Sequence, residues 1–243
     1  MSGYRWAAWS LGHRPSKCGS ALKVVALLGA AGALYGRRER IVDRVVDVTA
    51  RRPSGMLGRL LYRNPRAHFA SFDTTLLALA LAPADRLLEV ACGGGTFLER
   101  ALASGCEAKA IDYSPDMVAL ACERNAVACR DGRLEVLQAC AEQLPFAEES
   151  FTCAAMTNAF FFLGDPARAL AELCRVLEPH GRLAIFTAAP DPPAWMAPPP
   201  IARRMRFFTD QDLHTMAGTA GFIEIEIAHE DDGRSQLLTA VRP

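Results

Sequence analysis

Two short apolar runs, each closing on an acid, restrict what this chain can fold into. Leu87-Leu88-Glu89-Val90-Ala91-Cys92-Gly93-Gly94-Gly95 carries a strand-like run into a glycine turn. Ala110-Ile111-Asp112 closes a second run, 19 residues after Gly93. This is the layout of a βαβ unit that binds a nucleoside. Glycines let the backbone approach a ligand closely. The later carboxylate can accept hydrogen bonds from both ribose hydroxyls.

The alternation continues downstream. Strand-like runs fall at 86–91, 108–112, 134–139, 151–158 and 182–187, with helical stretches at 96–104, 115–127 and 166–178. The helices have recognisable starts: Thr96 after the glycines, Ser114-Pro115 and Asp165-Pro166. Such alternation argues for a parallel sheet flanked by helices. Thr209-Asp210-Gln211-Asp212 signals one more helix, ended by Gly221. Runs 222–228 and 236–241 then read as strands joined by 229–235, a link too short for a crossover helix, so they pair antiparallel. The expected fold is α/β: a Rossmann-like, seven-stranded, mostly parallel sheet with a C-terminal antiparallel strand pair and helices on both faces.

Ahead of this body the composition changes. Residues 1–66 carry 13 Lys/Arg and 3 Asp/Glu, whereas residues 67–243 carry 14 and 24. A basic leader on an acidic body points to an anionic partner, lipid headgroups or nucleic acid, or to a solvated basic tail. Val24 to Tyr35 is an uncharged apolar stretch of 12 residues. Spanning a bilayer takes roughly 20, so a peripheral interfacial segment or a disordered leader ranks ahead of an anchor or a cleaved signal. Arg51-Arg52-Pro53-Ser54-Gly55 reads as a break, and Asn64-Pro65 as a helix start running to about Leu81. The expected division is a basic N-terminal extension over 1–65 and a catalytic domain over 66–243. The eight cysteines contain no Cys-x-x-Cys pair and no Cys/His cluster at zinc spacing. A reducing, cytoplasmic setting without disulfides or a metal site follows.

Three nucleoside classes compete for the glycine turn. A P-loop needs Gly-Lys-Ser/Thr, and Thr96-Phe97 follows Gly95 instead. A dinucleotide fingerprint starting at Gly93 would need glycine where Leu98 stands. S-adenosylmethionine carries no phosphate, and its zwitterionic end suits Glu89 beside the glycines. With this the segment resembles motif I of the class I S-adenosylmethionine-dependent methyltransferases. Cys140-Ala141-Glu142-Gln143-Leu144-Pro145-Phe146 is similar to the stretch framing adenine in that family, and Arg175 to Leu183 resembles its turn into strand five. The resemblance covers about 85–190 and is nearest to the small-molecule branch that includes quinone-biosynthesis enzymes.

That resemblance implies a cofactor shell of Glu89, Ala91, Cys92, Gly93, Gly95, Asp112, Tyr113, Met117, Cys140, Ala141, Glu142 and Asn158. Two positions depart from the family pattern. Ala91 stands where a glycine is usual and is free of strain only if its φ is negative. Cys140 stands where an acid often meets the adenine amino group, and a thiol is a poor acceptor. His68, on the helix that often covers the pocket in this family, is a weak general-base candidate. Phe160-Phe161-Phe162 is a candidate acceptor wall, and Arg203, Arg204 and Arg206 are candidate anion contacts. The implied activity is methyl transfer to a small, apolar or membrane-associated acceptor. Non-catalytic binding of the same cofactor and NAD(P)-dependent oxidoreduction stand as alternatives. The expected partners are a small-molecule acceptor and, through the N-terminal extension, an anionic membrane surface, with no specific nucleic-acid partner.

Overall fold

The computed structural model describes residues 39–47, 51–194, 199–230 and 233–243. Val24–Tyr35, like Trp195 and Met196, lies outside them. The chain divides into two compact units, Met1–Arg44 and Val45–Pro243. Of the first, residues 39–44 are described and are helical. The second contains the α/β body.

Among the described residues, seven strands form one sheet. They are β1 (Arg86–Val90), β2 (Glu107–Asp112), β3 (Leu134–Gln138), β4 (Phe151–Thr157), β5 (Leu177–Ala188), β6 (Ile223–Glu230) and β7 (Ser235–Val241). Their order is β3-β2-β1-β4-β5-β7-β6. Strands β1 to β5 run parallel, and β7 is antiparallel to both β5 and β6. The order reverses direction at β1, which lies between β2 and β4. Ligands of open α/β sheets bind at the carboxyl ends of strands beside such a switch.

Alternation along the strands sends neighbours to opposite faces. Leu88 packs with Ile111, Met156, Leu170, Leu173 and Leu213. Leu87 packs with Phe72, Phe97, Leu98 and Leu134. The helices divide accordingly. On the first face lie Pro166–Val176 and Asp210–Thr219; on the second lie Phe69–Leu79, Thr96–Ala101 and Pro115–Arg124. Thr209 and Asp212 form the anticipated capping box.

Several boundaries differ from the sequence expectation for local reasons. Pro65 adopts φ −80°, ψ 63°, which is not helical. The chain therefore makes a 3₁₀ turn over Arg66–His68, and the α-helix runs only over Phe69–Leu79, ending on Ala80 in the left-handed conformation. The helix expected over 115–127 stops at Arg124, and a short helix Ala126–Arg130 follows. The Asn125 amide between them donates to the Gly95 and Ala121 carbonyls, competing with helix continuation. Strand β5 begins earlier than 182 and absorbs Pro179-His180-Gly181 as an irregularity against β4.

The compact unit also takes in residues ahead of the expected start of the catalytic domain. The second unit begins at Val45, not near residue 66. Residues 51–65 are built into the body. A helix over Gly55–Tyr62 follows the break, over residues to which the sequence assigned no element. Its Gly55 N–H donates to Asp116 at 2.8 Å, Arg59 pairs with Glu123 at 2.6 Å, and Ser114 donates to the Pro53 carbonyl at 2.5 Å.

Candidate active site

The site grows from the ends of β1 and β2. Glu89 and Asp112 are each carried to the edge of the sheet by an apolar run, and both are buried, 1% and 8% exposed. The Asp112 carboxylate accepts the Gly93 N–H through one oxygen and the Ser114 N–H through the other, both at 2.8 Å. Burial raises its pKa, against the pull of those backbone bonds. Each oxygen keeps accepting capacity. Glu89 differs: its Oε2 is buried without a hydrogen-bond partner. Burial, and then the charge on Asp112, hold its pKa well above the usual carboxylate range. An unsatisfied buried carboxyl oxygen is costly. It points to a cationic ligand group that would complete it.

Three backbone donors of the turn are committed. Cys92 N–H bonds to the Ile111 carbonyl, Gly95 N–H to the Cys92 carbonyl, and Gly93 N–H to Asp112. A pyrophosphate site needs such groups free, and two buried carboxyls alongside would repel it. The turn is poorly suited to a dinucleotide and well suited to a cationic nucleoside.

Two cavities flank the turn. The larger, about 630 Å³, is lined by Val90, Asp112, Tyr113, Cys140, Ala141, Glu142 and the Phe161–Gly164 loop, with Arg51 to Pro53 and Arg203 to Arg206 also contributing. The smaller, about 50 Å³, is lined by Glu89, Cys92, Thr96, Thr157, His68 and Phe72. Tyr62, Ala91, Gly93 and Asn158 line both. A polar, acid-ended slot thus adjoins a roomier, partly aromatic cleft.

Most of the sequence-derived residues meet here. Gly95 and Met117 do not line either cavity. Met117 is fully buried in the core. Gly95 has φ +75°, and a Cβ there would collide with Ala121 and Asn125; its role is close packing of the turn on the next helix. Ala91 does not meet the condition for a strain-free alanine: its φ is +62°. A left-handed conformation costs a non-glycine residue roughly 1 kcal/mol or more. Cys140 does not act as an acceptor, for its thiol donates to Glu142 Oε2 at 2.6 Å. Burial pushes the Glu142 pKa up, but the Cys140 thiol and the N–H groups of Gly164 and Asp165 together hold it low. An acid is therefore still present at this edge, two residues further on. Phe160 is buried in the core, whereas Phe161 and Phe162 line the cleft.

His68 stands at the helix start, beside the smaller cavity. Burial lowers its pKa, partly offset by a hydrogen bond to Asn158. The Asn158 amide donates to Ser71 Oγ at 2.7 Å, and Ser71 donates to the His68 carbonyl at 2.7 Å. Asn158 itself has φ +56°, a conformation asparagine tolerates better than most residues.

Sequence reasoning missed Tyr62. Its ring lies against Gly93, its carbonyl lies against Gly94, and its pKa is pushed up to about 12 by burial and then by Asp112. The available signal was the apolar periodicity of 56, 57, 60 and 61, hidden by glycines at 55 and 58 that weaken helix propensity.

Residues 88–185 match the family model described as a methyltransferase domain. This segment is thus similar to methyltransferase domains. The chain also matches curated proteins over part of its length. A demethylmenaquinone methyltransferase of Clavibacter sepedonicus is 35% identical over 120 residues, covering 49% of this chain and 48% of that protein. Its Thermus thermophilus counterpart is 36% identical over 118 residues, covering 48% and 52%. The chain thus spans about half the length of the curated relatives it matches. Among solved structures, phosphoethanolamine N-methyltransferase 2 of Haemonchus contortus, in complex with S-adenosyl-L-methionine, superposes with a TM-score of 0.68 at 16% identity, covering 81% of this chain and 59% of that one. Geranyl diphosphate C-methyltransferase from Streptomyces coelicolor gives 0.63 at 15%, covering 79% and 86%. At such identities these two show the fold alone.

Proposed function

We propose that the protein transfers a methyl group from S-adenosylmethionine to a small, apolar, quinone-type acceptor. The observation that carries this reading is the unpartnered Glu89 oxygen, buried beside Asp112 at adjoining strand ends. Glu89 would take the cofactor's ammonium, Asp112 its ribose hydroxyls, and the Cys140–Glu142 edge its adenine. When bound, the cofactor supplies an electrophilic methyl carbon on sulfur. The protein's own part is then to hold the acceptor in line and to exclude water. Phe161, Phe162 and Leu163 offer an apolar wall for that purpose. The curated relatives support the acceptor class, being named for demethylmenaquinone and for 2-phytyl-1,4-naphtoquinone.

His68 is the proton acceptor in this proposal, used where the attacking atom sheds a proton. Its lowered pKa keeps the imidazole neutral near pH 7, and one ring nitrogen remains to take a proton while the other bonds Asn158. We place the protein in the cytoplasm with peripheral membrane contact through the extension; no helix among the described residues is long and apolar enough to cross a bilayer. The test is incubation with isotopically labelled S-adenosylmethionine and a lipid extract, read by mass spectrometry. A labelled quinone-type product is expected. Cofactor binding without any labelled product would leave a binding protein instead.

A further inference from the structure

We propose that the outer face of the helix Gly55–Tyr62 is a docking face for an anionic lipid surface, set at the wall of the cleft. The helix divides cleanly at helical spacing. Gly58 is buried against Pro53, Arg59 is paired with Glu123, and Tyr62 lies over the glycine turn. The opposite side presents Met56, Leu57, Leu60 and Leu61, exposed by 87, 51, 69 and 49%. Positions i, i+1, i+4 and i+5 form one contiguous stripe. Four large apolar side chains on one exposed face mark an interaction site.

Charge decides the occupant. Between Arg51 and Arg66 the chain carries five arginines and no acid, and the single carboxylate of Glu123 meets two of them, Arg59 and Arg63, so the border stays basic. An apolar stripe bordered by arginines is the pattern of a helix lying in the headgroup region of an anionic bilayer. A second copy of the chain fits worse. A two-fold contact sets each patch against itself and so crowds like charges. Four side chains also offer little area against the roughly 800 Å² per partner of a stable interface. The position gives the face a use. Arg51, Arg52, Pro53 and Tyr62, at the two ends of this element, line the larger cavity. Docking there would bring the cleft to the layer in which an apolar acceptor dissolves. That last step rests on the methyltransferase reading; the docking itself does not.

The test is flotation of the full chain with phosphatidylcholine vesicles, with and without phosphatidylglycerol, in the absence of cofactor. Binding to the anionic vesicles is expected, weakened at least tenfold in L57E/L60E and unchanged in L77E, whose leucine is 82% exposed on another helix. A cooperative thermal transition in L57E/L60E shows that the variant is folded. Three results overturn the proposal: L57E/L60E floats like the wild type, neutral vesicles bind equally well, or the wild type is a dimer that L57E/L60E converts to monomer. Because no cofactor is present, failure here leaves methyl transfer standing. Absence of labelled product likewise leaves lipid docking standing.

Discussion

The donor half of the cleft rests on strand ends, whereas the acceptor half rests on loops and a short helix. Glu89 and Asp112 are fixed by paired strands, are almost wholly buried, and have their surroundings set by backbone hydrogen bonds. Across the cleft, Arg51, Arg52, Arg203 and Arg206 are exposed, and Arg206 donates to the Gly164 carbonyl. Burial makes electrostatics strong on the first side and solvent weakens it on the second. In the proposed reading the first side holds one cationic ligand. The second can accommodate change in its occupant without disturbing the sheet.

Substitutions should expose that asymmetry. The largest effect is expected from Glu89→Gln, which removes the charge meant for the ammonium group. Cofactor affinity should fall about a hundredfold, near 2.7 kcal/mol, by calorimetry. The same change should stabilise the unliganded protein at pH values above the ordinary carboxylate range. A carboxyl whose folded pKa is raised contributes fully below the ordinary range and loses that contribution as pH climbs through the raised value; glutamine has no such loss. Since binding a cation requires ionised Glu89, wild-type affinity should rise with pH, a trend absent in the glutamine variant. A flat wild-type profile would separate Glu89 from the cofactor.

Asp112→Ala follows, with affinity at least tenfold weaker, about 1.4 kcal/mol; unchanged binding removes the ribose assignment. Ala91→Gly should raise stability by roughly 1 kcal/mol, since it relieves a left-handed alanine. Thermal unfolding should then shift upward by about 2–4 °C, and a downward shift would show that the alanine carries no strain. The smallest effect on the donor side should come from Arg52→Gln. Its guanidinium sits 4.2 Å from the Tyr113 ring, facing the larger cavity, so acceptor KM should rise while cofactor affinity stays within about twofold. A tenfold loss of cofactor affinity would dissolve the distinction between the two halves.

The same asymmetry governs what was legible in the sequence. Strand ends were readable because an apolar run, an acid and a glycine turn are local signals, so Glu89, Gly93 and Asp112 fall where expected. The antiparallel closing pair was readable from the length of one link. Tyr62 and the helix bearing it were not, because their place is fixed by contacts with Asp116 and Glu123, 60 or so residues away. The φ of Ala91 was equally hidden, being imposed by the turn rather than by the residue. Met117 misled for the opposite reason: helical spacing beside Asp112 suits a ligand contact and a core position alike, and packing decided for the core.

The central claim is that this cleft holds S-adenosylmethionine by two buried carboxyls, Glu89 on its ammonium and Asp112 on its ribose. Crystals soaked with S-adenosylmethionine test it most directly. The account predicts density with the amino group against Glu89 Oε2 and the ribose against Asp112. An empty cleft, with the Tyr62 ring still lying across Gly93, would contradict it.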